Sequence, residues 1–183
     1  FTQYYFNNID SIKYTFDQLD RDNYYSNLRY RAYSLLKITE KKIEIIGNMP
    51  FFQSDNYNKY NGNYIRNYNN INDQLCENNE FIQLVTLFNN RVSELLEIKN
   101  EYINIHQIRV LANEDITNLV PEGIHQDGFN IVGICCINRK NINGGINIIY
   151  DKNKNEIYKN MLNEGDMIII NDNELFHNVE PIQ

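Results

Sequence analysis

The sequence predicts a mainly β fold of the α+β type, a sandwich or barrel preceded by helices that buttress it. Two observations carry this. After Lys99 the chain breaks into seven short β-prone runs separated by Gly, Asn and Asp, all within about 80 residues. Runs so close together leave no room for the helices that a parallel βαβ order needs. Before Lys99, Phe81, Leu84, Val85, Phe88, Val92 and Leu95 recur at helical spacing, the clearest amphipathic helix in the chain.

The elements follow in order. Ile9, Ile12, Phe16 and Leu19 lie at near-helical spacing behind Asn7 and Asn8, two candidate N-caps, which predicts a short helix packed on a sheet. The runs RYRAYSLLKI and KKIEIIGN read as strands, ended by Met49-Pro50. Ser54 to Asn72 is polar, aromatic and punctuated by Asn-Gly, so it reads as one long ordered loop of the kind that covers sites. The seven runs are EYINIHQIRVLA, EGIHQDG, FNIVGICCINR, GGINIIYD, EIYKNML, GDMIIIND and ELFHNVEPI.

At 183 residues the chain is expected to form a single domain over 1–183, with a core that needs no disulfides. A formal charge of −7 and a pI near 5.0 argue against a nucleic-acid groove or an anionic membrane surface, which both need clustered cations. A small-molecule partner is expected. No apolar run is long enough to span a bilayer, and FTQYYFNNID lacks the order of a signal peptide. Three cysteines cannot all pair, and Cys135 and Cys136 are adjacent in a strand-like run, as small core residues are; a reducing, cytoplasmic setting fits. The Asn-rich bias carries no functional weight. Because the chain begins at Phe and stops soon after LFHNVEPIQ, it reads as a piece of a longer protein.

Two of the three histidines stand in HQDG and LFHN. In a strand, positions i and i+2 share a face, so His125 and Asp127 would emerge side by side and converge on one ion. His177, on a distant run, is available as a third ligand. Two His and one carboxylate on one face of an octahedron leave the other face open, the pattern of a non-haem Fe(II) oxygenase, whereas structural zinc wants four closed ligands. An isolated His-x-Asp is more often a coincidence of strand polarity; its context matters.

That context is PEGIHQDG, then NINGGINIIYD, then GDMIIINDNELFHNVEPI, with LDRDNYYSNLRYRAYSL and PFFQSDNYN earlier in the chain. In this order the segments resemble the 2-oxoglutarate/Fe(II) dioxygenases that hydroxylate free amino acids, the isoleucine dioxygenase-like group. The likeness covers most of the chain. It implies a double-stranded β-helix, or jelly-roll barrel, with the metal at its mouth. It also implies His125, Asp127 and His177 as catalytic iron ligands, and Fe(II) and 2-oxoglutarate as cofactor and co-substrate. The implied reaction is decarboxylation of 2-oxoglutarate to succinate, coupled to hydroxylation of a substrate C–H bond. The resemblance further places an Arg for the far carboxylate of 2-oxoglutarate a short way after the second His. No Arg follows Arg139, so this anchor is expected beyond Gln183. Gln126 stands where a basic residue is usual and is expected to point away from the metal.

Arg109 and Gln107 share a strand face with Ile103, Ile105 and Leu111, with His106 on the other. Arg109 and Gln107 are candidates for binding substrate, Arg109 alternatively for pairing with a structural acid. Glu122 is a substrate-ammonium candidate or a brace for the HQDG turn, and His106 reads as structural. Asp166 and Asp172 read as turn residues that orient His177, and Gly144-Gly145 as a turn. Two rival readings remain: a jelly-roll metalloprotein that does not use 2-oxoglutarate, and an inactive binding domain that kept the barrel.

Overall fold

The computed structural model describes residues 1–25, 28–40, 42–113 and 115–183; Lys41, at the head of the second predicted strand, lies outside them. The chain divides into two compact units. The first comprises Phe1–Asn7, Phe52–Ile65 and Val110–Gln183, and the second Asn8–Phe51 and Arg66–Arg109.

The first unit is antiparallel β throughout. Strand β1 (Thr2–Tyr5), in an opening with no strong strand signal, pairs with β10 (Asp166–Asn171), which pairs in turn with β7 (Ile131–Cys135). A second sheet runs β11 (Phe176–Val179), β8 (Ile146–Tyr150), β9 (Glu156–Met161). The sheets bury one core between them: Ile149, Leu162, Ile168 and Ile170, with Ile134, Cys136, Tyr158 and Leu175 packed against it. Five consecutive buried residues in β10, Asp166 to Ile170, explain why GDMIIIND is a nearly continuous apolar run: this central strand is covered on both faces. The architecture is a jelly-roll sandwich, its ladders extended by isolated bridges Thr117↔Ile182, Gly144↔Ile182 and His125↔His177. The Gly144 bridge shows why a glycine stands there: its φ is +80°, and a Cβ would lie 2.2 Å from the Pro181 carbonyl oxygen.

Six of the seven predicted runs contain strands. EGIHQDG does not; its only ladder contact is the bridge at His125. Left-handed glycines at both ends, Gly123 (φ +71°) and Gly128 (φ +85°), bend the backbone out of a strand. The predicted 54–72 loop is also divided. Its first part forms turns of the first unit, and the two-residue strand β5 (Ile65–Arg66), paired with β4 (Phe51–Phe52), interrupts it. The rest belongs to the second unit, in which Arg66 and Ile71 are buried.

In the second unit, β2 (Arg29–Ile38) is the central strand between β3 (Ile43–Ile45) and β6 (Tyr102–Val110). The opening helix is shorter than expected: one turn, α1 (Asp10–Lys13), continues as a 3-10 turn, Tyr14–Gln18. Neither Asn7 nor Asn8 caps it; the cap position is Ile9, without a side-chain bond, and the Asn8 amide donates to Glu80 at 3.0 Å. Thr15 bonds back to the Ile12 carbonyl at 2.7 Å, a local bond that competes with regular helix. Helix α2 (Asn79–Leu96) forms where predicted, but its buried positions are Phe81, Val85, Asn89 and Val92, with Leu95 exposed. Asn89 is accommodated inside by exchanging amide bonds with Asn100. Among the described residues no helix is long and apolar enough to cross a membrane.

Asn78 starts α2 by accepting the Phe81 N–H at 2.9 Å and donates to Ser11 Oγ at 2.8 Å, so one amide ties both helices together. Asn78→Ala is expected to cost about 1 kcal/mol or somewhat more, within the range for lost N-caps, read as a lower urea midpoint at unchanged m-value.

Candidate metal centre

His177 sits in β11, with its backbone paired across to Ile149 of β8 and its side chain buried. On its other side it meets the HQDG segment directly. His125 N–H donates to the His177 carbonyl at 3.0 Å, and His177 N–H to the His125 carbonyl at 2.9 Å. This reciprocal pair puts the two imidazoles side by side, with ring centroids 4.3 Å apart. Asp127 completes the cluster, its carboxylate oxygens 3.5 Å from His125 Nε2 and 3.6 Å from His177 Nε2. One ligand atom from each residue lies within 4.8 Å of the others, a spacing that suits a single ion, and no other such group occurs among the described residues.

The three converge through a loop rather than through strand alternation, and Asp172 shapes that loop. Its carboxylate accepts the backbone N–H groups of Asp127 (3.1 Å), Gly128 (2.8 Å) and Phe129 (3.2 Å). Its own N–H donates to the Asn130 carbonyl, and its carbonyl accepts from the Gln126 amide. Gln126 is thereby committed to Asp172. Gln53 adds a bond from its amide to the Asp127 carbonyl at 2.8 Å. Tyr57 lies so close to Gly128 that a Cβ there would stand 2.6 Å from its ring. Neither Gln53 nor Tyr57 carries a local sequence signal; only the fold brings them to HQDG.

The protonation states suit a metal. His125 Nδ1 lies 2.8 Å from the Gly123 carbonyl, which fixes the proton there and leaves Nε2 as the ligand atom. Burial opposes its imidazolium, but the Asp127 carboxylate and the Gly123 carbonyl outweigh burial and raise its pKa above the ordinary value. Burial pushes His177 down to about 4, so it is a free base at neutral pH. Its Nδ1 is buried without a hydrogen-bond partner, 3.7 Å from Asp172 Oδ1. The Asp172 carboxyl rises to about 6, chiefly through burial.

The remaining predicted residues fall elsewhere. Glu122 stands beside the HQDG turn, its charge helping to raise His125. Asp166 is the first residue of β10 and closes the turn before it, accepting the Asn163 N–H at 2.8 Å. Cys135 and Cys136 are half-buried thiols pushed up to about 12 and about 11 by burial, so neither is a thiolate at neutral pH. Gln107 and Arg109 belong to the second unit. Gln107 is buried and donates to Thr15 at 2.8 Å, and Arg109 pairs with Asp17 at 3.1 Å. His106 accepts from Arg31.

A two-His, one-carboxylate cluster at the end of a jelly roll defines a class, the non-haem iron oxygenases, and comparison with known proteins places the chain within it. The chain belongs to the 2OG-Fe dioxygenase family, whose sequence profile matches residues 13–183. It is therefore a non-haem iron dioxygenase that uses Fe(II) and 2-oxoglutarate. It is 29% identical over 170 residues to L-isoleucine-4-hydroxylase of Bacillus thuringiensis, covering 88% of this chain and 70% of that protein. Two solved structures share the fold. A bsmA homologue from Methylobium petroleophilum superposes with a TM-score of 0.82 at 19% identity, covering 94% of this chain and 72% of the other. The structure of IDO from Bacillus thuringiensis gives 0.74 at 20% identity, covering 95% and 77%.

Three outcomes are expected. Asp172→Ala, which removes the acceptor of three backbone N–H groups, should weaken divalent-metal affinity by about 10–100-fold, as loss of a ligand-orienting partner does, measured by Mn(II) titration. Metal must also displace the proton that Asp127 holds on His125. Affinity should therefore rise with pH through the raised His125 pKa, above 6.5, and then level off, with calorimetry in two buffers detecting proton release only on the acid side. In the metal-free protein the two histidines act in opposite directions. The His125 contribution to stability is full below pH 6.5 and fades as pH rises through its folded pKa; that of His177 is full above pH 6.5 and is lost as pH falls toward about 4.

Proposed function

We propose that this chain hydroxylates a free aliphatic amino acid, with iron held by His125, Asp127 and His177. The observation that carries the reading is the convergence of these three side chains, at hydrogen-bond-fixed spacing, in a chain similar to an L-isoleucine hydroxylase. The donor set fits Fe(II): two neutral imidazoles and one carboxylate, with a carbonyl fixing the tautomer of His125. When bound, Fe(II) and 2-oxoglutarate supply oxidative chemistry that no side chain can perform.

The protein's own part is positional. The paired backbones of His125 and His177 set the separation of the imidazoles. Asp172 holds the 127–129 backbone so that the Asp127 carboxylate faces both rings. These three side chains would hold Fe(II) and leave its remaining coordination positions to the co-substrate and O₂. A small-molecule substrate also agrees with the acidic surface, which disfavours nucleic acid, and the cysteine usage agrees with a reducing, cytoplasmic setting.

The test is anaerobic Fe(II) titration with 2-oxoglutarate, read by the visible charge-transfer band of the chelate, followed by succinate formation with a panel of free L-amino acids. The band should form, should vanish in His177→Ala while the circular-dichroism spectrum is kept, and succinate should rise with one or more aliphatic amino acids. A band in His177→Ala equal to wild type would refute the ligand set. Succinate formation that no amino acid stimulates would refute the substrate class.

A further inference from the structure

The backbone of Asp127 is held on both sides. Its N–H ends on Asp172, and its carbonyl accepts the Gln53 side-chain amide at 2.8 Å. Gln53 comes from a segment 74 residues earlier, Phe52–Ile65 of the same unit. A planar peptide on each side, once held, fixes the Cα–Cβ bond and with it the aim of the carboxylate.

A side-chain amide can face its neighbour with its oxygen or its nitrogen, so the group that orients Gln53 matters. That group is Asn58. Its Oδ1 accepts the backbone N–H groups of Tyr60 at 3.0 Å and Asn61 at 2.7 Å, which turns Nδ2 to donate to Gln53 Oε1 at 3.1 Å. With its oxygen engaged there, Gln53 presents Nε2 to the Asp127 carbonyl. Bonds within the segment hold both backbones: Asn63 N–H donates to the Gln53 carbonyl at 2.9 Å, and Asn58 N–H to the Ser54 carbonyl at 3.0 Å. Gly62 lets the turn close this tightly, since a Cβ there would run into the backbone of Asp55 and Asn58. Both amide side chains are buried, where setting oxygen against oxygen is costly.

We propose that Gln53, aimed by Asn58, is a positioning residue for the metal ligand Asp127. This role rests on the ligand set His125, Asp127 and His177 proposed above. Direction passes from the Tyr60 and Asn61 N–H groups through two side-chain amides to one carbonyl, and each member has its donor and acceptor ends assigned by the one before it.

The experiment is calorimetric Mn(II) titration of the full chain as wild type, Gln53→Met, Asn58→Asp, the double variant and Asp127→Ala, with circular dichroism of each metal-free protein. Gln53→Met keeps the shape without the amide and should bind Mn(II) about tenfold more weakly, at the low end for partners that support a ligand. Asn58→Asp keeps the acceptor for Tyr60 and Asn61 but offers Gln53 no donor, so the Gln53 amide turns over. Its affinity should fall several-fold, although an added negative charge near a cation would by itself raise it. In the Gln53→Met background no amide is left to turn, so Asn58→Asp should cause no further loss. Losses from a general loosening of the segment would instead add. Should Gln53→Met not fold, the fall in Asn58→Asp carries the test alone. Wild-type affinity in either folded single variant, or losses that add in the double variant, would overturn the proposal. Asp127→Ala separates the two levels: if it binds Mn(II) as wild type does, the ligand set fails and the positioning role with it.

Discussion

Asp172 is a carboxylate with 1% of its surface exposed, and the geometry of the metal centre depends on it. Three consecutive N–H groups of the HQDG loop end on its oxygens, which holds the loop backbone in place. The carboxylate is held in place by what surrounds it: its own backbone bonds to Asn130, and it follows directly on β10, the most buried strand of the first unit. The chain of cause thus runs from an apolar strand, through an acid at its end, to the position of Asp127, 45 residues earlier in the sequence. The electrostatic cost is visible in the carboxyl group itself, whose proton affinity is raised by burial and by the neighbouring Asp127 charge.

The two histidines of the cluster differ in environment although they share a bridge. His177 is buried deeply enough to lose its affinity for protons, whereas His125 has a carboxylate and a carbonyl to stabilise its charged form. A divalent ion replaces one proton there and relieves a carboxylate that otherwise has only imidazoles for company.

Much of this was legible in the sequence, and the gaps have physical reasons. The candidate ligands could be named because His-x-Asp followed by a distant His is a chemical pattern that survives without knowledge of the backbone. Strand alternation does not bring them together, since two left-handed glycines take the segment out of the sheet. The role of Asp172 was expected to fall on His177 and falls mainly on the loop, because only the fold brings residues 127–129 to its carboxylate. Helix α2 was legible from its apolar spacing, but the inward turn of Asn89 was not, since it depends on an amide partner after the helix. Arg31 stood in a run read simply as a strand. Its burial follows from the central place of β2 between two neighbours, which a local pattern does not reveal.

The reciprocal backbone bridge between His125 and His177 separates the metal site from the length of chain that connects its ligands. Everything from Gly128 to Phe176 could lengthen or shorten at its turns, such as the exposed Asp151–Asn155 reversal, and the imidazoles would keep their spacing so long as that one narrow pair of hydrogen bonds survived. A lineage could therefore remodel the intervening hairpins, and whatever those hairpins contact, without re-evolving the candidate metal centre.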